Sequence, residues 1–121
     1  MYSLTLFEAL FITHLIMDWL FQWRWEAMNK SKSWAALFFH CAVYTIGFLP
    51  VCLVYNFHFS WLMLIFASHV IFDKRDFELW ILEKFKGFRK QEMGESLSNI
   101  VLIGVDQVLH IAILALIVIF S

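Results

Sequence analysis

Three of the five histidines stand four residues from an aspartate: His14 with Asp18, His69 with Asp73, and His110 with Asp106. A fourth, His40, has Tyr44 at the same spacing. On a helix, positions i and i+4 share a face one turn apart, so each pair presents an imidazole and an oxygen group in one direction. Imidazole nitrogen with carboxylate oxygen is a donor set that suits zinc, manganese or iron. The expected metal ligands are therefore His14, Asp18, His69, Asp73, Asp106 and His110. Six ligands exceed what one four-coordinate ion needs, so one ion and two remain open, as does a single ion with some of the six only orienting the others. His40 is expected to act as a general acid or base, or as a ligand, and Tyr44 to donate a hydrogen bond to a developing oxyanion. The competing reading makes Tyr44 a packing residue and the pairs polar glue between helices.

The segments that must position these residues are strongly apolar. Of 121 residues, 62% are hydrophobic and 16% charged, a composition far from that of a soluble domain. A bilayer core of about 30 Å needs roughly 20 mostly apolar helical residues. Four segments approach that length, at about 4–23, 34–55, 59–73 and 97–120, the third being the shortest and expected to extend past Asp73. The first lacks a basic start and a small-residue cleavage site, so it reads as a retained span and not as a signal peptide. The expected fold class is an all-α integral membrane protein, a four-transmembrane-helix bundle forming one domain over 1–121. Pro50 is expected to kink the second segment, and Cys41 and Cys52 are too far apart on one helix to form a disulfide.

All nine basic residues fall into two stretches, Arg24, Lys30 and Lys32 after the first segment and Lys74, Arg75, Lys84, Lys86, Arg89 and Lys90 after the third. Lys and Arg concentrate on the cytoplasmic side, so both stretches are expected inside and both termini outside, in a multi-pass protein of the bacterial inner membrane. Residues 75–93 are too polar to span, but Phe77, Trp80, Ile81, Phe85 and Phe88 follow helical spacing, which predicts an amphipathic helix at the cytoplasmic interface. Counting about 1.5 Å per residue from the basic ends puts the His and Asp residues in the cytoplasmic half or near the midplane. Glu8 and His58 fall near the outer side and are expected to be solvated. The basic stretches are explained by topology and anionic headgroups, and nothing points to nucleic acid.

An aspartate at the centre of a spanning helix costs about 2.5–3.5 kcal/mol on insertion scales, so several of them call for compensation by a metal or by one another. The runs His14-x-x-x-Asp18-Trp19-x-x-Gln22, Met28-Asn29-Lys30-Ser31-Lys32-Ser33, His40-x-x-x-Tyr44, Ser68-His69-x-x-x-Asp73 and Asp106-Gln107-x-x-His110 resemble a small bacterial and phage membrane-protein family known as domain of unknown function 3307. That resemblance covers nearly the whole chain and implies a multi-span inner-membrane protein with a His- and Asp-rich site. More loosely, the pattern is similar to inner-membrane proteins named as metal-dependent hydrolases.

The expected function is a membrane-embedded metal-dependent hydrolase that opens to the cytoplasmic side and acts on an amphiphilic substrate such as a lipid phosphate. Its expected cofactor is zinc, manganese or iron, and its partners are the bilayer and that substrate, with a homo-oligomer left open. The alternatives are a proton or divalent-metal transporter or channel, and a non-catalytic assembly protein. Gln22 and Gln107, beside the aspartates, are expected to orient ligands or substrate.

Overall fold

The computed structural model describes residues 3–21, 24–30, 32–74, 76–84, 87 and 94–121. The chain is all-α, with no strand among the described residues. Helix α1 (Leu6–Leu15) starts in a capping box, in which Thr5 Oγ1 accepts from the Glu8 N–H and the Glu8 carboxylate accepts from the Thr5 N–H. It runs on as a π-helical turn, Ile16–Leu20. A short helix, α2 (Arg24–Asn29), follows.

Helix α3 (Trp34–Ile46) is capped by Ser33 and is separated from α4 (Leu49–Val54) by Gly47 and Phe48. Pro50 has no N–H to donate and its ring crowds the carbonyl four residues back, which is that of Ile46, where α3 ends. The break thus falls where the proline was expected to bend the segment. Gly47 packs against the side chain of Met17 on the π turn, where an added Cβ would overlap it.

Helix α5 (Ser60–Asp73) stops at Asp73 with Lys74 as its C-cap, giving about 21 Å of helix, less than a full bilayer crossing. Helix α6 (Asp76–Lys84) occupies the start of the expected interfacial helix, whose remainder, except Gly87, lies outside the described residues, as does Gln22. Gly94, at φ +76°, makes the turn into α7 (Glu95–Phe120) without the penalty that a Cβ would bring. Residues 34–54 and 100–120 are each long and apolar enough to cross a membrane.

The long helices touch in a cycle: α3 packs on α5, α5 on α7, α7 on α1, and α1 on α4, with the π turn also against α3. Helix α6 lies against α5 and α7, and α2 against α3. One end of the interior is an apolar core built from Ala9, Leu10, Phe48, Val51, Cys52, Phe57, Ile65, Leu114 and Ile117, joined by the ring of Tyr44. Cys41 and Cys52 are both buried free thiols. The other end of the interior is polar. The outside is not: Leu20, Leu53, Val54 and Met63 are between 73% and 77% exposed, among many other exposed large apolar side chains. Glu8 and His58 are exposed, as expected of solvated positions.

Candidate metal centre

At the polar end, four potential ligand atoms from three elements converge. His40 Nε2 (α3) lies 2.9 Å from His69 Nε2 (α5), 3.2 Å from Asp18 Oδ1 (π turn) and 3.0 Å from Asp73 Oδ2 (α5). His69 Nε2 lies 3.1 Å from Asp73 Oδ2 and 3.6 Å from Asp18 Oδ1. A tetrahedral ion with ligands at about 2.0–2.1 Å has ligand-to-ligand edges of about 3.3–3.4 Å. The observed spacings bracket that edge, and all four side chains are buried. Asp73 also belongs to a second group, with Asp106 and His110.

Local structure explains the convergence. His69 and Asp73 meet as an i,i+4 pair on α5, and His110 Nδ1 lies 3.4 Å from Asp106 Oδ1 at the same spacing on α7. His14 and Asp18 are linked through Gln107 and not directly. The π turn that begins at Ile16 changes the helical register between them, turning Asp18 toward His40; such turns are frequent at functional sites.

Behind Asp18 runs a directed hydrogen-bond chain. The Gln107 carbonyl oxygen can only accept, so His14 Nε2–H donates to it at 2.8 Å. That leaves His14 Nδ1 as an acceptor for the Tyr44 hydroxyl at 2.7 Å. The Gln107 amide in turn donates to Asp18 Oδ2 at 3.1 Å and to Asp106 Oδ2 at 3.3 Å. Asp18 Oδ2 is thereby occupied and Oδ1 is left to face His40. The Tyr44 ring lies flat on the His69 ring, with centroids 3.7 Å apart and planes 7° apart, and fixes its orientation. Partners of this kind orient ligands and set their tautomers.

Each residue singled out in the sequence can now be placed. Asp18, His69, Asp73, Asp106 and His110, read as ligands, fall in the two groups. His14, also read as a ligand, has both ring nitrogens engaged by Tyr44 and Gln107. His40, read as the proton-transfer group, has its Nε2 among the four converging atoms, and the Tyr44 hydroxyl is committed to His14. Gln107, expected to orient ligands or substrate, donates to both Asp18 and Asp106.

Two residues were missed. Lys30, buried after α2, donates from Nζ to Asp73 Oδ2 at 2.9 Å. Burial works against its ammonium, but the charges of Asp73 and then Asp18 outweigh this and hold its pKa above the ordinary lysine value. Glu78 on α6 is fully buried, and neither of its oxygens has a hydrogen-bond partner among the described residues. Burial, reinforced by the Asp106 and Asp73 charges, pushes its carboxyl up to about 8. Lys30 stood inside one of the runs that carried the family resemblance. Glu78 shared its face of α6 with Leu82, four residues on and also buried.

A family model described as protein of unknown function (DUF3307) matches residues 6–121. The chain belongs to the DUF3307 family. No curated protein and no solved structure matches it. In this DUF3307 chain the matched region includes every helix that contributes to the two groups, so the site is built wholly within the family's extent.

Proposed function

We propose that this chain is a membrane-embedded, metal-dependent hydrolase that acts on an amphiphilic substrate carrying an anionic group, such as a lipid phosphate. The observation that carries the reading is the set of four buried atoms from Asp18, His40, His69 and Asp73 at tetrahedral spacing. The donor set fits a divalent ion: two imidazoles and two carboxylates, with an orienting chain behind Asp18 and a stacked ring behind His69. Charge fits as well. Among the described residues, the carboxyl groups of Asp18, Asp73, Glu78 and Asp106 are buried, as is the ammonium of Lys30 paired with Asp73. When bound, a divalent ion would polarise the bond to be broken and lower the pKa of water toward neutrality.

The remaining roles belong to the chain's own groups. Lys30, at the edge of the site and held as an ammonium, supplies the positive charge that an anionic headgroup would meet. Asp106 and His110 join Asp73 in a second group beside the four atoms. Gln107 holds two aspartates at once and keeps the cluster from relaxing around either.

An apolar exterior around an interior with one polar end supports four membrane-embedded segments, α3 with α4 and α7 being long enough to cross and α1 with its π turn and α5 being shorter. A soluble monomer seldom exposes apolar patches beyond a few hundred Å². The one-sided placement of basic residues supports both termini outside the cytoplasm and the polar cluster inside, reached from the inner leaflet. A proton or metal pathway would need polar groups continuing to the other face. Leu10, Phe48, Ile65, Leu114 and Ile117 close that end, which favours hydrolysis over transport.

The reading is tested with protein reconstituted in phospholipid vesicles that also carry a lipid phosphate. Turnover should depend on added divalent metal, stop with a chelator, and be lost in His40→Ala. Metal-loaded, folded protein that cleaves none of a panel of lipid phosphates, and instead passes metal or protons across the vesicle wall, would replace it with the transport reading.

A further inference from the structure

We propose that the polar cluster takes a second divalent cation, held by Asp73 Oδ1, Asp106 and His110 Nε2, with the Asp73 carboxylate bridging the two ions. This rests on the reading of Asp18, His40, His69 and Asp73 as the first site. The two oxygens of Asp73 face different neighbours. Oδ2 meets His40, His69 and Lys30, whereas Oδ1 lies 3.5 Å from His110 Nε2.

That last contact has no hydrogen bond in it. His110 Nδ1 lies 2.7 Å from the backbone carbonyl of Asp106, which can only accept, so Nδ1 carries the proton. In the neutral ring, Nε2 is then a bare lone pair. It faces a carboxylate oxygen, and both atoms are buried without a hydrogen-bond partner among the described residues. Asp73 is 1% exposed and His110 3% exposed, so bulk solvent does not relieve the pair. Two buried acceptor atoms 3.5 Å apart, with no hydrogen bond between them, suit a cation held by both.

Asp106 supplies the third ligand: with Asp73 and His110 it forms a group in which one potential ligand atom from each residue lies within 4.8 Å of the others. Its other contacts match the role: Gln107 donates to Oδ2 while fixing Asp18 of the first site, so one amide ties both sites together. Glu78 brings another buried carboxyl from α6 to the Asp106 side. Paired sites of this kind hold their ions about 3.5–4 Å apart and clamp the attacking and leaving oxygens of one displacement.

Titration of the full chain in detergent, stripped by chelation and then loaded with Mn²⁺ alone, tests the proposal by electron paramagnetic resonance. Wild type should bind two Mn²⁺ per chain, and the fully loaded protein should show an exchange-coupled spectrum. His110→Ala and Asp106→Asn should each bind one, with the six-line spectrum of an isolated ion, and His40→Ala should lose the other. The wild-type count decides the matter even where a variant fails to fold. One Mn²⁺ in wild type, unchanged in Asp106→Asn, overturns the second ion and leaves the first. No Mn²⁺ bound to wild type overturns both, and two uncoupled ions overturn the Asp73 bridge.

Discussion

The same helices build two interior layers of opposite character, one turn apart. Leu10 and His14 on α1, Phe48 and Tyr44 at the end of α3, Ile65 and His69 on α5, and Leu114 and His110 on α7 are four pairs of neighbours at i,i+4. All eight side chains are 3% exposed or less. The apolar member comes first in α1 and α5 and second in α3 and α7, so alternating chain direction puts the apolar members in one layer and the polar members in the other.

Burial is the same in both layers, but the energetics are not. The apolar layer is held by close packing, in which a lost methylene leaves a cavity. The polar layer keeps carboxylates and imidazoles out of water, and a buried ion pair of that kind often stabilises no better than an apolar replacement. Packing therefore accounts for the first layer, whereas the second is the one that the proposed metal would hold together.

The largest effect that separates the layers is expected from Asp73→Asn. It removes the charge shared by both groups and should abolish metal binding altogether, measured as metal retained per folded chain; full retention would detach Asp73 from the site. Next, Phe48→Ala should destabilise the fold by about 3–5 kcal/mol through a cavity in the apolar layer, while the folded fraction still binds metal as wild type. A parallel loss of metal affinity would mean that the layers are not independent.

A smaller effect is expected behind the ligands. Gln107→Ala leaves every ligand in place but frees Asp18 and Asp106, so titration should show metal affinity lowered by about 10–100-fold with unchanged stoichiometry. An unchanged affinity would reduce Gln107 to a packing residue.

The smallest effect is a pH dependence at Glu78. Its carboxyl is raised from 4.5 to about 8 in the folded chain by burial and then by the Asp106 and Asp73 charges. Between those values the folded chain keeps a proton that the unfolded chain has released. Its contribution to stability is thus fully present below about 4.5 and is lost as pH rises through 8. In metal-free protein, thermal midpoints between pH 5 and 9 should fall more steeply for wild type than for Glu78→Gln. Equal slopes would show that Glu78 is ionised in place.

The sequence made the polar layer legible because i,i+4 spacing survives folding wherever the helix is regular. His69 with Asp73 and Asp106 with His110 are in contact as their spacing implies. His14 and Asp18 are not, because the π turn changes the register between them, and no residue pattern in Ile16–Leu20 announces such a turn. The break ahead of Pro50 was legible for a backbone reason, the missing donor.

What spacing could not convey was contact between distant elements. Lys30 reaches Asp73 across 43 positions, and Gln107 reaches Asp18 across 89. On α6, Phe77 and Trp80 of the expected interfacial stripe are exposed, while Glu78 and Leu82, outside that stripe, are buried. A stripe of aromatic residues suits a membrane interface as well as a protein core, so hydropathy alone does not choose between them.

The central claim, that the polar layer is a metal site, meets its most direct test in elemental analysis of protein purified in detergent without added metal. At least one zinc, manganese or iron per chain should accompany wild type and be absent from Asp73→Asn. Folded wild type that carries no such metal, and takes up none when it is supplied, would contradict the account and leave the His and Asp pairs as polar contacts between helices.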